Sequence, residues 1–313
     1  MNGADPLPRG ALPTLRQLQF LAALQAHGSF VRGADAVGVT QPTLSAGIKE
    51  LEAILGVTLV DRARGAALTP AGEEAAMRAI RVLSETEELV RALHGSAGPL
   101  VGPFRLGAIP TIAPFLLPRA LPELKARFPS LRLLLREDVS IRLIEQLRAR
   151  GLDAAIIALP YEASGIEFDV IGEDEFLLAS PKGHPLSDRA TLTPDDLAGE
   201  EVLLLEDGHC LRDHSLRVCG APPRRQSADV SATSLYTLVQ MVAGGMGVTL
   251  LPRLASDAGA ATGAAVDVRP FSAPIVGRSL AIAWRAGSPR SDECRLLGQT
   301  LRELISRSAN LAR

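Results

Sequence analysis

Residues 39–72 read VTQPTLSAGIKELEAILGVTLVDRARGAALTPAG, and their pattern predicts a helix followed by a small hairpin. Thr40 is a favourable N-cap, and Pro42 falls in the first turn of the helix, where a missing N–H costs little. One face of this helix is apolar, at Leu44, Ile48, Leu51 and Leu55. The remaining face carries mostly short polar side chains.

Two shorter helices are predicted before this one. Leucines recur at helical spacing up to His27 and Gly28, at positions Leu15, Leu18, Leu21 and Leu24. A second helix is expected from Phe30 to Val37, with Ser29 as its N-cap and Gly38 at its end. Two short helices joined by about three residues that include glycine are typical of a helix-turn-helix.

The third helix would then carry the residues that read DNA. Amide and hydroxyl groups recognise base edges in the major groove, and short side chains let the backbone approach. The candidates are Thr40, Gln41, Pro42, Thr43, Ser45 and Lys49. The alternative is an ordinary three-helix core with a solvated surface, because the chain has a formal net charge of only −2 and no strongly basic region.

The hairpin after this helix carries Arg62 and Arg64 at its predicted turn. Two arginines at a hairpin tip suit contacts to DNA phosphates, although a solvated turn explains them equally well. The following segment has a heptad spacing, at Ala76, Ala79, Leu83, Thr86, Val90 and Leu93. Such a helix would pair with a second copy of the chain, or else pack on its own domain. Residues 95–103 are rich in Gly and Pro and are expected to form a hinge.

From Phe104 onward, apolar strands alternate with helical stretches, which predicts an α/β domain with a largely parallel sheet. The predicted strands are FRLGAI, LRLLL, DAAIIAL and EFLLAS, and the predicted helices are 113–128, 140–150 and 233–244. Thr111 comes just after the first strand, where ligands of such sheets bind. The common fingerprints of nucleotide-binding, zinc-protease and serine-hydrolase enzymes are absent, so we expect no enzyme.

Neither a membrane span nor a signal peptide is predicted from the sequence. It has no uninterrupted apolar run of about 18 residues, and residues 1–13 combine Pro, Gly and charges as in a disordered tail. We therefore expect a cytoplasmic protein without a membrane partner. Three cysteines in such a protein argue against a structural disulfide framework.

Residues 201–223, EVLLLEDGHCLRDHSLRVCGAPP, contain two of these cysteines. The pattern predicts a buried strand VLLL, a turn EDGH and a helix from Cys210 to Cys219. Cys210 would lie at a helix N-terminus, beside His209 and near Arg212, and each of these features favours a thiolate.

The spacing of Cys210 and Cys219 suggests a redox switch. Nine helical positions rise by about 13 Å, whereas a disulfide needs Cα atoms within about 7 Å. A disulfide would therefore require the helix to unwind after Cys210 becomes a sulfenic acid. The alternatives are two inert core thiols and a zinc site of unusual spacing made by His209, Cys210, His214 and Cys219. Cys294 follows the apolar face of the C-terminal helix and is expected to be structural.

Residues 15–72 resemble the winged helix-turn-helix of the LysR-type regulators, and the likeness extends to the end of the chain. The runs IPTIAPFLLP, LAGEEVLLLEDGHCLRDHSLRVC and ATSLYTLVQMVAGGMGVTLLP resemble the peroxide-sensing members of that family. The resemblance implies an α/β protein with a winged helix-turn-helix and a regulatory domain like the periplasmic binding proteins. The implied divisions are the DNA-binding domain 14–72, the dimerisation linker helix 73–94, the hinge 95–103 and the regulatory domain 104–313, with subdomain I at about 104–165 and 269–313 and subdomain II at about 166–268.

The resemblance also implies a homodimer or homotetramer that senses hydrogen peroxide and switches antioxidant genes. Cys210 would react with peroxide and Cys219 would form its disulfide, which changes the contacts with promoter DNA and RNA polymerase. Glutaredoxin or thioredoxin would reduce it, and no cofactor or metal is implied. The implied pocket around the sulfur comprises Thr111, Ser140, His209, Asp213 and Arg278, and the sequence adds Arg212; Ser140 stands where the family usually has Thr. A LysR-type regulator of a small metabolite and a thiol peroxidase remain alternatives.

Overall fold

The computed structural model describes residues 12–94, 98–218, 232–272 and 276–311, and the chain divides into two compact units. The first unit comprises Met1–Ser96 with Ala149–Gly151, and the second comprises Ala97–Arg148 with Leu152–Arg313. Most of the expected N-terminal tail, 1–11, lies outside the described residues. None of the helices that the structure describes is long and apolar enough to cross a bilayer.

The first unit is a helix-turn-helix followed by a two-stranded hairpin and a long helix. Its elements are α1 (Leu15–His27), α2 (Phe30–Ala36), α3 (Gln41–Leu55), β1 (Val60–Asp61), β2 (Ala67–Leu68) and α4 (Pro70–His94). Thr14 caps α1 through a reciprocal pair of hydrogen bonds with Gln17, and the chain leaves α1 at Gly28 in a left-handed conformation. Helix α2 ends one residue before the predicted Val37, and Ser29 occupies its N-cap without a side-chain hydrogen bond.

The core of this unit lies between α1 and α3. Leu44, Ile48 and Leu51 are buried as predicted, but Leu55 is 41% exposed because it lies at the C-terminal end of α3, beyond the core. Gly47 allows the two helices to approach closely: a Cβ atom there would lie 2.5 Å from the Phe20 ring. Packing against Phe20 therefore accounts for this glycine, which would otherwise weaken the middle of a helix.

Helix α4 begins at Pro70, so the expected boundary between residues 72 and 73 falls inside its first turn. The predicted heptad seam is divided between two environments. Ala76 and Ala79 are buried in their own unit, as the competing interpretation expected, whereas Val90 is 50% exposed. Val82 and Leu89 are also exposed, although neither is one of the predicted heptad positions. The exposed apolar surface of α4 therefore coincides only in part with the predicted seam.

The second unit contains a seven-stranded sheet flanked by helices. Its strands are β3 (Gly102–Ala108), β4 (Leu131–Glu137), β5 (Ala154–Leu159), β6 (Ile166–Pro181), β7 (Thr249–Pro252), β8 (Val266–Pro270) and β9 (Gly277–Arg285). Its helices are α5 (Ala113–Arg127), α6 (Ser140–Arg148), α7 (Cys210–Val218), α8 (Leu235–Ala243), α9 (Arg253–Asp257) and α10 (Ser291–Leu311). Strand β3 starts at Gly102, so the predicted hinge 95–103 ends inside a strand.

The sheet order is β4-β3-β5-β9-β6-β7, and β8 also pairs with β6. Only the pairs β3–β4 and β3–β5 are parallel, so the expectation of a largely parallel sheet was wrong for the rest. The reason is that β9 returns along both β5 and β6 in the opposite direction. The predicted strand VLLL is buried but forms only isolated bridges, at Val202 and Leu205.

Strand β6 joins two hydrophobic cores. Its residues 166–175 pair with β9, and its residues 176–181 pair with β7 and β8. The expected subdomain boundary at residue 166 therefore falls at the start of β6. The strand changes its pairing from β9 to β7 and β8 only between Glu175 and Phe176. Asp174 of β6 and Arg278 of β9 are paired just before β6 changes partners, and they belong to the site described below.

Candidate functional site

Cys210 is the first residue of α7, and the turn before it sets its position. Gly208 has a φ of +93°, a left-handed conformation that favours glycine. The His209 N–H donates to the Glu206 carbonyl oxygen, which closes the turn. The predicted turn and helix start are thus where the sequence placed them, and Cys210 is half-buried against the first of the two cores.

A narrow crevice lies against Cys210, and three parts of the chain form it. Its walls come from the loop after β3, the start of α6 and the turn before α7; among them are Thr111, Ser140, His209 and Cys210. In this conformation the crevice has no free volume for a water-sized molecule. Four of the residues named from the sequence therefore meet, in a space too small for a metabolite.

Arg278 connects this crevice to a buried carboxylate. Its Nη1 donates to the Thr111 hydroxyl oxygen at 2.8 Å, and its Nη2 donates to the Thr111 carbonyl at 3.1 Å. Its Nε and Nη2 both donate to Asp174 Oδ2, at 3.1 and 3.0 Å. The Leu254 N–H donates to Asp174 Oδ1 at 2.9 Å. Burial raises the pKa of Asp174, and the Arg278 charge and these hydrogen bonds oppose that rise.

Sequence reasoning missed Asp174. It lies in a carboxylate-rich run, Glu173-Asp174-Glu175, that interrupts an apolar strand. In a strand, alternate residues share a face, so Asp174 lies on the same side as buried Phe176. A charged residue at an inward position of a strand was the available signal.

The electrostatics of Cys210 differ from the sequence expectation. Burial raises the pKa of the Cys210 thiol, and this outweighs the opposing effects of Arg278, the Ser140 hydroxyl and the backbone N–H at the helix start. Asp213 raises the pKa further. The prediction that the helix start, His209 and Arg212 favour a thiolate is therefore wrong for the net effect, because desolvation of the sulfur dominates.

Arg212 is not directed at the sulfur. Its Nε pairs with Asp207 at 2.9 Å, and its Nη1 donates to the Leu205 carbonyl at 3.3 Å. The guanidinium that acts on Cys210 is Arg278, which lies 68 positions further along the chain. His209 lines the crevice, and burial lowers its pKa, so its imidazole is neutral at pH 7. Asp213 acts on Cys210 only through its charge.

Two hydroxyl groups in the crevice have protons available for a ligand. The Thr111 oxygen accepts from Arg278, which leaves its own O–H free to donate. The Ser140 residue is 3% exposed; its Oγ makes no hydrogen bond of regular geometry among the described residues, but it lies close enough to the Cys210 thiol to lower the pKa of that thiol. A buried unpartnered hydroxyl is costly and therefore suits a ligand site.

His214 lies one helical turn beyond Cys210 and is 4% exposed. Its Nδ1 has no hydrogen-bond partner in the described chain. Burial and then the Arg278 and Arg217 charges lower the pKa of His214 to about 4, while Asp213 opposes this. In the sequence analysis, His214 is one of the four ligands of the alternative zinc site.

Cys219 lies outside the described residues, so its predicted pairing with Cys210 is not tested. The described residues contain no group of three His, Cys, Asp or Glu side chains that could hold a metal ion. Cys294 is fully buried; its Sγ donates to the Asp153 carbonyl oxygen at 3.6 Å, and burial raises its pKa to about 12. Such a thiol is chemically inert at neutral pH, in keeping with a structural role.

In the first unit, α3 separates a buried face from a polar one, as predicted. Thr40 caps the helix: its Oγ1 accepts from the Thr43 N–H at 3.4 Å and lies 2.8 Å from the Thr43 hydroxyl. The candidate DNA-reading residues are exposed except for Ser45, which is half-buried; the exposed ones are Thr40, Gln41, Pro42, Thr43 and Lys49.

The two arginines predicted at the hairpin turn are not both freely exposed on a simple turn. Residues Arg62–Arg64 form a short 3-10 helix, and Arg62 pairs with Glu52 at 2.8 Å. The other carboxylate oxygen of Glu52 accepts from the Leu59 and Val60 N–H groups. Arg62 therefore anchors the hairpin to α3, while 39% of its side chain stays exposed. The Arg64 side chain lies outside the described part.

Comparison with known proteins identifies the class. Residues 15–73 match the bacterial regulatory helix-turn-helix protein, lysR family, and residues 97–306 match the LysR substrate binding domain. The chain belongs to the LysR family of bacterial transcription regulators, which is not an enzyme family.

Within this family, the chain is similar to hydrogen peroxide-inducible activators. A probable hydrogen peroxide-inducible genes activator of Mycobacterium avium is 41% identical over 296 residues, which cover 94% of this chain and 95% of that protein. A full-length OxyR from Pseudomonas aeruginosa is 35% identical with a TM-score of 0.75, covering 93% of this chain and 98% of that one. An H2O2-bound OxyR mutant from Corynebacterium glutamicum is 31% identical with a TM-score of 0.65, covering 96% and 97%.

Proposed function

We propose that this chain is a DNA-binding transcription regulator that senses hydrogen peroxide through oxidation of Cys210. The observation that carries the proposal is the crevice itself. A cysteine at a helix start meets two hydroxyl groups with available protons, at Thr111 and Ser140, and one of them is held by the buried Arg278. Hydrogen peroxide has two donors and two acceptors in a very small volume, which matches this set of partners.

The chemistry needs a thiolate only at the moment of reaction. Once the thiol proton has left, Sγ attacks one peroxide oxygen, an S–O bond forms and the O–O bond breaks. The departing hydroxide takes up a proton, so that thiol and peroxide yield sulfenic acid and water. Neutral His209 is available to accept the thiol proton, and the two hydroxyls stabilise the departing oxygen. Because the crevice has no free volume for a water-sized molecule, its walls must separate slightly for peroxide to enter.

The sulfenic acid would then react with the Cys219 thiol to form a disulfide and a second water. Helix α7 spans nine residues from Cys210, a rise of about 12 Å between its ends. A disulfide needs a Cα separation below about 7 Å, so α7 must unwind. Unwinding would withdraw Leu211 from the second of the two hydrophobic cores and expose the buried His214, which gives the switch a large structural consequence.

The first unit has surfaces that support the proposed DNA binding and assembly. Helix α3 presents the polar residues that would enter the major groove, and the exposed apolar positions of α4, Val82, Leu89 and Val90, supply a surface for a second copy. The working form would be a cytoplasmic homodimer or homotetramer on promoter DNA. It would contact RNA polymerase and be reduced by glutaredoxin or thioredoxin.

The decisive experiment exposes the reduced full-length chain briefly to near-stoichiometric hydrogen peroxide, traps free thiols under denaturing conditions and maps them by mass spectrometry. We expect a Cys210–Cys219 linkage with Cys294 alkylated. If Cys210 is oxidised but not linked to Cys219, the proposal of peroxide sensing stands and the proposed disulfide is refuted. Unmodified Cys210 would overturn the proposal and favour a regulator of a small ligand.

A matched pair of variants connects the chemistry to DNA. Cys210→Ser should abolish the peroxide-dependent change in the set of genomic fragments that the protein selects, whereas Cys294→Ala should retain it. A normal peroxide response in Cys210→Ser would refute the assignment of the sensor. Continued turnover of peroxide with a thiol reductant and no DNA would instead indicate a thiol peroxidase.

A further inference from the structure

A second cavity is lined in part by Asp174, the buried carboxylate that pairs with Arg278. It is enclosed by α5, α9, α10 and the paired strands β6 and β9, all within the second unit. Its free volume is about 50 Å³. By the same measure a single water needs about 10–15 Å³, so the cavity has room for a ligand of about four or five non-hydrogen atoms.

The inner wall of this cavity is aliphatic. Leucine and isoleucine side chains form most of it, from Leu116, Leu254, Leu280, Leu304 and Ile305. Water gains few hydrogen bonds on such a surface, and an apolar molecule therefore displaces it at little cost. The wall selects a ligand with a short hydrocarbon body.

Charged residues line the rest of the cavity, and its guanidinium groups are already engaged. Arg253 pairs with Glu175 at 2.7 Å, and Arg119 donates to the Asp257 carbonyl oxygen at 2.8 Å. The lining carboxylates are Glu173, Asp174 and Asp257; with the paired groups Glu175 and Arg278 included, four carboxylates stand against three guanidinium groups. Within the described chain no salt bridge engages the Asp257 carboxylate, which lies near enough to Asp174 to raise its pKa. The charge therefore favours a cation over an anion.

Asp174 belongs to this cavity and to the cysteine site at once. Its Oδ1 accepts from Leu254 at the cavity wall, and its Oδ2 accepts from Arg278, which in turn binds Thr111 beside Cys210. Asp174 and Arg278 are both almost fully buried, so a change at one is poorly screened at the other. A cation near Asp174 would share its negative charge and strengthen the field of Arg278 at the sulfur.

We propose that this cavity is a second effector site, which binds a small alkylammonium-type molecule and thereby increases the reactivity of Cys210. The binding part rests on the cavity alone, and the effect on Cys210 rests on the proposed peroxide-sensing function. A ligand there would act on the redox site without entering it, through Asp174 and Arg278.

The binding test uses n-butylammonium chloride as the probe, with n-butyrate at equal ionic strength as the opposite charge. Thermal unfolding of the reduced full-length protein is followed by Trp284, its single tryptophan, which is buried in the second unit. We expect n-butylammonium to raise Tm progressively with concentration and butyrate to have no effect. Equal responses to the two ions, or none at all, would overturn the site.

Two pairs of variants locate the effect. Asp257→Asn removes the unpaired carboxylate and should abolish the Tm response, whereas Asp195→Asn removes an exposed carboxylate outside the cavity and should retain it. Ile305→Phe fills the cavity and Ile305→Val leaves it open, so only the second should still respond. A response that survives both Asp257→Asn and Ile305→Phe would show that the probe binds elsewhere.

The coupling test measures the rate at which peroxide consumes the Cys210 thiol with and without the probe. We expect an increase of about fivefold in the parent protein and none in Asp257→Asn. A Tm response with an unchanged oxidation rate would overturn the coupling but retain the binding site. A Cys210 that never reacts with peroxide would refute the proposed function, and the Tm measurement would still decide the binding proposal.

Discussion

His214 should make the second unit sensitive to acid, and His214→Gln should remove that sensitivity. The imidazole is buried on α7, its Nδ1 has no hydrogen-bond partner among the described residues, and its pKa is lowered to about 4. Glutamine retains an amide of similar length but does not titrate. The two proteins should therefore have similar stability when histidine is neutral and diverge only when it takes up a proton.

The pH dependence of the free energy of unfolding follows from the pKa values of His214 in the folded and unfolded chains. In the unfolded chain the histidine pKa returns to about 6.5, so below that pH the unfolded state binds more protons than the folded state. Stability is therefore complete above about pH 6.5, falls as the pH is lowered and levels off near pH 4. A tenfold difference in proton affinity is worth about 1.4 kcal/mol. The whole loss is thus about 3 kcal/mol, of which about 2 kcal/mol is present at pH 5.

The assay is urea unfolding of the reduced full-length proteins at pH 7.5 and pH 5, followed by Trp284 fluorescence. Other groups also titrate, so the quantity of interest is the additional loss in the parent protein relative to His214→Gln. We expect about 2 kcal/mol. His27→Gln, which changes an exposed histidine at the end of α1, should behave like the parent. Equal losses in the parent and His214→Gln, within about 0.5 kcal/mol, would refute a buried neutral His214.

Three further changes test the packing and charge arguments. Asp174→Asn leaves the Arg278 charge buried without its partner, so the second unit should lose about 3–5 kcal/mol of stability. Urea unfolding measures this loss, and a value below about 1 kcal/mol would contradict a stabilising role for the pair. Gly47→Ala places a Cβ 2.5 Å from the Phe20 ring and should cost the first unit about 1–3 kcal/mol, seen as earlier loss of DNA binding in urea. Lys49→Ala should weaken binding to all DNA sequences and reduce the salt dependence by about one phosphate contact; an unchanged salt slope would remove Lys49 from the interface.

The elements that local sequence specifies could be predicted well. The cap at Thr40, the apolar spacing of α3 and the helix start at Cys210 depend on neighbours within a few residues. The direction of sheet pairing could not be predicted in the same way. β9 pairs with strands more than 100 positions earlier, and nothing in its own residues shows that it runs antiparallel to them. Likewise, the exposed apolar surface of α4 depends on which residues α1 covers.

The sequence by itself determined the class of the chain and the position of Cys210 at a helix start, because both depend on short patterns and on residue type. Only the tertiary structure decided the electrostatics of that cysteine. It directed Arg212 away towards Asp207, brought Arg278 beside Thr111 and buried the sulfur enough to raise its pKa. It also joined Arg278 to Asp174, 104 positions apart in the chain. The physical reason is that charge interactions in a buried site depend on distance in space and on the loss of water around the charges, and neither quantity can be read along the chain.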